Sequence, residues 1–198
     1  MSLSPYAFAH LLRDKFPFIW ETIERGNAYF FRLRYARRLK HVEPDAYRMA
    51  EPFLMEPIAS IPTAQLVDFF HDQPADTYRW FTPHGFELAD VAKLQHSQAF
   101  VAYVLKREEQ ILGYFFLRCF CNGTCYFGRI VDFRYRNQGI GTLIGKVSFY
   151  LSESLHMQSY QTVAKDNIAS AKSSTRAYHM QVIGTTANGD ILYKNSKL

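Results

Sequence analysis

The apolar positions of this chain change their period part-way along it. From residue 99 onward they come in short unbroken runs, Phe100 to Leu105, Ile111 to Cys121 and Cys125 to Phe133. Runs of that length, rich in aromatic and β-branched residues, predict buried strands. Lys106 to Gln110 reads as a charged turn between the first two, and Asn122-Gly123 is a tight hairpin signal between the second and third. The third run leads into a turn with two glycines, after which Leu143, Ile144, Val147, Phe149, Tyr150 and Leu151 fall at helical spacing. Met157 to Ala164 predicts another strand, followed by a helix to about Met180. Gln181 to Thr186 and Ile191 to Lys194 then form a closing hairpin around Ala187-Asn188-Gly189-Asp190.

Before residue 99 the pattern is mostly helical. Tyr6, Phe8, Leu11, Leu12, Phe16, Phe18, Ile19 and Ile23 predict a helix over residues 4–25, which Pro17 breaks or restarts and Gly26-Asn27 stops. Residues 28–40 interleave Tyr29, Phe30, Phe31, Leu33, Tyr35 and Leu39 with Arg32, Arg34, Arg37, Arg38 and Lys40. Such a stretch is either an amphipathic helix with its aromatics on the domain and a solvated basic face, or a surface for an anionic membrane or a partner. Four prolines, Pro44, Pro52, Pro57 and Pro62, predict that 41–62 is extended and loop-rich, with Tyr47 to Leu54 as a first strand. Ala64 to His71 and Phe86 to His96 fit short helices. The division expected is a helical aromatic and basic extension over 1–42 and one domain over 43–198.

Composition narrows this picture. With 198 residues, 48% hydrophobic and 16% aromatic, the chain can bury a proper core. A net charge of +5 suits acidic ligands. No nucleic-acid motif accompanies that charge, so no nucleic acid is expected. No apolar run approaches the ~18–20 residues that span a bilayer, and no signal-peptide pattern opens the chain, so a cytoplasmic location is expected. Cys119, Cys121 and Cys125 straddle the hairpin turn without metal-ligand spacing, and read as free thiols.

The strand-to-helix turn carries the first candidate chemistry. N–H groups at a helix N-terminus lack intrahelical partners, and the helix dipole favours an anion there. Gly139 and Gly141 remove the Cβ atoms that would hold a phosphate off, and Arg136 adds a charged donor. A P-loop fails, because Gly141 and Gly145 are four apart and Val147 follows Lys146; a dinucleotide fingerprint fails at Ile144. What fits is Arg-x-x-Gly-x-Gly at Arg136, Gly139 and Gly141. A second candidate is His84 in Trp80-Phe81-Thr82-Pro83-His84-Gly85-Phe86, either a capped helix start or an imidazole among aromatics in an acceptor pocket.

The glycine motif, with two hairpins before it and a helix after it, resembles the pyrophosphate loop of the GCN5-related N-acetyltransferases. The resemblance runs from about Tyr47 to Lys194 and is tightest from Ile111 to Gly184. It implies a mixed α/β (α+β) fold: a mostly antiparallel central sheet with a splayed strand pair, flanked by helices. It also implies acetyl-CoA as cosubstrate and acetyl transfer to a primary amine by direct attack on the thioester. By analogy, backbone groups of Val131 and Phe133 would bond pantetheine. The loop Arg136, Asn137, Gln138, Gly139, Ile140, Gly141 and Thr142 would cradle the pyrophosphate. Asn167 and Ser170, in Val163-x-x-x-Asn167-x-x-Ser170, would hold the cofactor arm.

Departures leave the catalytic groups open. The family's tyrosine acid falls on Ser174 here, and Tyr178 stands one helical turn later. Asp132 is on the right strand to be a base if its pKa is lifted toward neutrality; its other role is a pair with Arg129 or Arg134. The acceptor expected is a small amine, with an amino sugar of the surface-polysaccharide type preferred and a peptide or polyamine amine open. A CoA-binding sensor without activity and an adaptor working through 28–40 are the rival readings, and a homodimer is left open.

Overall fold

The tight reversal at Asn122-Gly123 sets the register of the sheet. The Asn122 side chain accepts from the N–H and hydroxyl of Thr124, at 3.1 and 2.8 Å, and Gly123 takes φ +87°. The computed structural model describes residues 17–198. Its elements are α1 (Pro17–Ala50), β1 (Leu54–Pro57), α2 (Thr63–His71), α3 (Leu88–His96), β2 (Phe100–Arg107), β3 (Gln110–Phe120) and β4 (Thr124–Val131). After the glycine turn come α4 (Ile140–Ser154), β5 (Gln158–Val163), α5 (Ile168–Thr175), β6 (His179–Thr185) and β7 (Ile191–Ser196). The strands form one sheet in the order β1-β2-β3-β4-β5-β7-β6. Every neighbouring pair is antiparallel except β4 and β5, which are parallel and joined through α4. The mixed, mostly antiparallel fold expected from the sequence is the one observed.

Alternation along the strands divides the core in two. Phe127, Leu117 and Tyr103 point to the face covered by α1 and α4, while Ile130, Phe116 and Tyr114 point to the face covered by α2 and α3. Cys119 and Cys125 lie opposite each other across β3 and β4, buried, and burial pushes the Cys119 thiol up. No helix among the described residues is long and apolar enough to cross a membrane.

The N-terminal reading needs correction. A single helix runs unbroken through Gly26-Asn27, past Pro44, to Ala50, so residues 41–50 are not extended and no strand begins at Tyr47. The first strand is only Leu54–Pro57. Tertiary contacts override the local breakers. Asn27 donates to the Cys119 carbonyl at 2.9 Å and accepts from the Cys121 N–H at 2.8 Å, pinning the helix to the end of β3. Phe31, Tyr35, Val42, Ala46 and Ala50 recur at helical spacing and are buried against the sheet. The aromatics of 28–40 therefore split, since Tyr29, Phe30 and Leu33 are exposed. The part of the first helix expected over 4–16 lies outside the described residues. At the other end α5 stops at Thr175, not near Met180: the Ala177 N–H tightens the last turn onto the Ser174 carbonyl at 2.9 Å, and β6 begins at His179.

Candidate active site

The central feature is an opening between two parallel strands. β4 and β5 pair only at Thr124↔Gln158, Cys125↔Ser159 and Tyr126↔Tyr160. Beyond Tyr126 the two strands part, so Phe127–Val131 and Gln161–Val163 do not bond to one another. The glycine turn stands at the end of the β4 arm. Asn137 and Gly139 take positive φ, 63° and 84°, and Gly139 caps α4 in a left-handed conformation that a side chain resists. A Cβ on Gly139 would meet nothing within 4 Å among the described residues, which leave the space above the cap open. Ile140 and Gly141 head the helix with N–H groups that have no intrahelical carbonyl. Thr142 differs, because its N–H donates to the Gly139 carbonyl at 3.0 Å and so turns inward. Arg136 donates through Nη2 to the Thr77 hydroxyl at 2.7 Å, which ties the turn to the segment before α3.

Across the opening stands a polar cluster that the sequence reading only half anticipated. Tyr178 is buried, its ring stacked on Phe149 and edge-on to Phe127, both with centroids 5.5 Å away. Its hydroxyl donates to Gln161 Oε1 at 2.9 Å and accepts from Arg129 Nη1 at 3.0 Å. Arg129 Nη2 donates to the hydroxyls of Ser174 and Ser173, at 2.6 and 3.0 Å. Ser174 and Tyr178 are thus one unit, organised by an arginine on the unpaired arm of β4. Arg129 was missed in this role. Its signal was a cation at an inward position of the alternation Cys125, Phe127, Arg129, Val131.

Asp132 goes to its other partner. The buried carboxylate accepts from Arg134 Nε at 2.9 Å and Nη2 at 2.7 Å, from the Arg134 N–H at 2.9 Å, and from Gln73 Nε2 at 3.4 Å. Burial by itself would raise its pKa, but the Arg134 and Gln73 donors together hold the carboxyl below the usual range. That is opposite to what a base near neutrality needs. The partner is Arg134 and not Arg129. Gln73, a second residue the sequence reading passed over, also accepts the Phe133 N–H at 3.1 Å, so this N–H faces an internal partner.

Asn167 spends its Oδ1 on capping α5, accepting the Ser170 N–H at 3.0 Å. His84 lies on the other face of the sheet. Nδ1 sits 2.7 Å from the Gly85 carbonyl and Nε2 3.0 Å from the Tyr114 hydroxyl. With Nδ1 protonated, Nε2 accepts from Tyr114 and both ring nitrogens are used. Burial lowers the His84 pKa, keeping the ring neutral among Phe70, Phe86 and Phe100. The segment before it is strapped down at a second point, since Arg79 and Trp80 Nε1 both donate to Asp166, the latter at 2.9 Å.

No family model matches the chain, and no curated protein matches it by sequence. Solved structures do. AAC(6')-Ib in complex with paromomycin and acetyl-CoA aligns over 73% of this chain and 93% of its own at 14% identity, with a TM-score of 0.56. The GNAT domain of S. lividans PAT aligns over 73% and 90% at 10% identity, with a TM-score of 0.62. The Campylobacter jejuni N-acetyltransferase PseH aligns over 73% and 97% at 18% identity, with a TM-score of 0.53. At such identities what is shared is architecture, and this chain has the fold of the GCN5-related N-acetyltransferases.

Proposed function

We propose that the chain is an N-acetyltransferase that moves an acetyl group from acetyl-CoA to a primary amine of a small acceptor, preferably an amino sugar. The observation that carries this reading is the strand opening joined to an uncovered helix cap, with Gly139 at φ +84° and no atom of the described residues within 4 Å of its missing Cβ. The residues present fit acetyl-CoA. The N–H groups of Ile140 and Gly141, with the α4 dipole behind them, would take the pyrophosphate. The unpaired arms of β4 and β5 offer backbone groups to the pantetheine amides, Val131 among them. Asn167 and Ser170 start the helix that walls the opening.

When bound, acetyl-CoA supplies an activated acetyl group and a thiolate leaving group. The chain's own contribution is positioning and one proton. Tyr178 is buried and spends its one hydroxyl proton on Gln161, so it serves the departing sulfur only when that bond is released on acetyl-CoA binding. Ser174 supports it through Arg129. Neither Asp132, paired with Arg134, nor His84, paired with Tyr114 and Gly85, is free to take the proton of the amine. The acceptor must therefore arrive as the free amine or lose its proton to solvent, and rate should rise with pH toward the amine's own pKa. The amino-sugar preference draws support from AAC(6')-Ib, whose structure holds paromomycin.

Calorimetric titration with acetyl-CoA, wild type against Gly139→Glu, tests the reading. Micromolar binding, about −8 kcal/mol, lost in the variant is expected. Absence of binding by the wild type refutes it, and binding without turnover of any amine reduces the chain to a CoA-binding module.

A further inference from the structure

The apolar cluster under α2 and α3 ends at β4; it includes Phe116 and Ile130 but no residue of β5, β6 or β7. Past β4 no apolar cluster among the described residues covers this face of the sheet, and the residues it presents are of two kinds. Cross-strand partners share a face, and register places Arg118, Tyr126, Tyr160 and Lys194 in one row across β3, β4, β5 and β7. The two tyrosine rings stack, with centroids 5.4 Å apart and planes 28° from parallel. Arg118 and Lys194 flank them at the two ends, three strand spacings or about 14 Å apart. Among the described residues no carboxylate forms an ion pair with either cation.

The row borders the opening between β4 and β5. Tyr126↔Tyr160 is the last pair before β4 and β5 part, so the platform forms the floor at the base of the opening. One step further along β4, Phe81 comes within 3.7 Å of where a Gly128 Cβ would sit, adding a wall on the same face. Stacked on each other, the two rings turn edges and hydroxyls outward, an aromatic and hydrogen-bonding border against which a sugar ring can pack. Two unneutralised cations beside it repel a second positive charge and favour a negative one. A polyamine would set several cations against Arg118 and Lys194, whereas an anionic ring would relieve them.

We propose that this open face is the acceptor site and that it takes an amino sugar carrying a negatively charged group, a phosphate or a carboxylate. The ring packs against Tyr126 and Tyr160, the anion reaches Arg118 or Lys194, and the amine points into the opening. The proposal rests on the acetyltransferase reading and narrows it.

The test compares kcat/KM for glucosamine, glucosamine 6-phosphate and glucosaminuronic acid, with acetyl-CoA affinity measured in parallel by calorimetry. The wild type should prefer at least one anionic sugar over glucosamine by tenfold or more. Arg118→Gln and Lys194→Gln together should reduce that preference to within twofold, the larger loss falling on the anionic sugars, with acetyl-CoA affinity within twofold of wild type. Tyr160→Ala should lower kcat/KM for all three sugars about tenfold, and Tyr160→Phe should restore it. Equal use of all three sugars by the wild type, or equal losses for charged and uncharged sugars in the double variant, overturns the proposal while acetyl-CoA binding persists. Loss of acetyl-CoA binding by the wild type itself overturns the underlying acetyltransferase reading instead.

Discussion

Asp132 and Arg134 hold each other two residues apart at the end of β4, and the pairing decides what the carboxylate does. Its folded pKa lies below the ordinary 3.8. The stability it contributes is therefore present above about pH 4 and lost as pH falls through the folded value. Asp132→Asn should destabilise the protein by about 2 kcal/mol at pH 7, as expected for hydrogen bonds to a charged group. The difference from wild type should shrink in urea unfolding at pH 3, and a deficit that stayed constant would contradict the pairing. His84 acts in the same direction from a different range. Burial lowers its pKa from 6.5, so stability declines as pH drops below about 6.5 and the unfolded chain takes the proton. Tyr178 is the proton donor proposed above. Tyr178→Phe should lower kcat about 10²-fold, the ordinary scale of a lost proton donor. Acetyl-CoA affinity by calorimetry should stay within twofold, because the ring still stacks on Phe149.

At the scale of elements, local signals and tertiary contacts compete, and the outcome differs along the chain. β2, β3, β4 and α4 follow their patterns because their apolar periods and turn residues agree. The run Ile111 to Cys121 needs a hairpin, and Asn122-Gly123 supplies one. α1 does not follow its pattern. Gly26, Asn27 and Pro44 each argue against a helix, but Asn27 is pinned to β3, and the stripe Phe31, Tyr35, Val42, Ala46 and Ala50 is buried on either side of Pro44. Pro44 lacks the N–H that the interior of a helix needs, so Pro44→Ala should stabilise the protein by about 1–2 kcal/mol, read as a raised Tm. No change would mean that the helix is already distorted around the ring. The candidate site was legible to the same extent as its elements. The glycine cap is written in residue types, and so it was seen. The strand opening is an absence of pairing between β4 and β5, which no residue announces. Arg129 reads as a surface cation until the sheet turns it toward Tyr178 and Ser174. Gln73 is sixty residues of fold away from the Phe133 N–H it accepts, a contact no local pattern encodes.

For the molecule as a whole, one sheet separates two chemistries. The hydrogen-bonded cluster of Arg129, Ser174 and Tyr178 lies on the α4 side, the stacked Tyr126 and Tyr160 lie on the other, and the β4–β5 opening begins just past that pair. The turn at Ala75–Arg79 crosses between the loops that end those two strands. Thr77 is bonded to Arg136 after β4, while Arg79 and Trp80 are bonded to Asp166 after β5. The Arg136 guanidinium donates through Nη2 to Thr77 and through Nε to the Val131 carbonyl at 3.4 Å. A phosphate at the Gly139 cap that drew the whole guanidinium over would release Thr77 and leave the crossing segment held at one end only. On the acetyltransferase reading proposed above, such a tether would let the nucleotide bind first and loosen the segment before the amine arrives. Hydrogen exchange of residues 75–80 should accelerate when CoA is added and slow again when an amine follows. Steady-state inhibition by CoA should be competitive with acetyl-CoA and not with the amine, whereas random addition would leave the exchange of that segment unchanged.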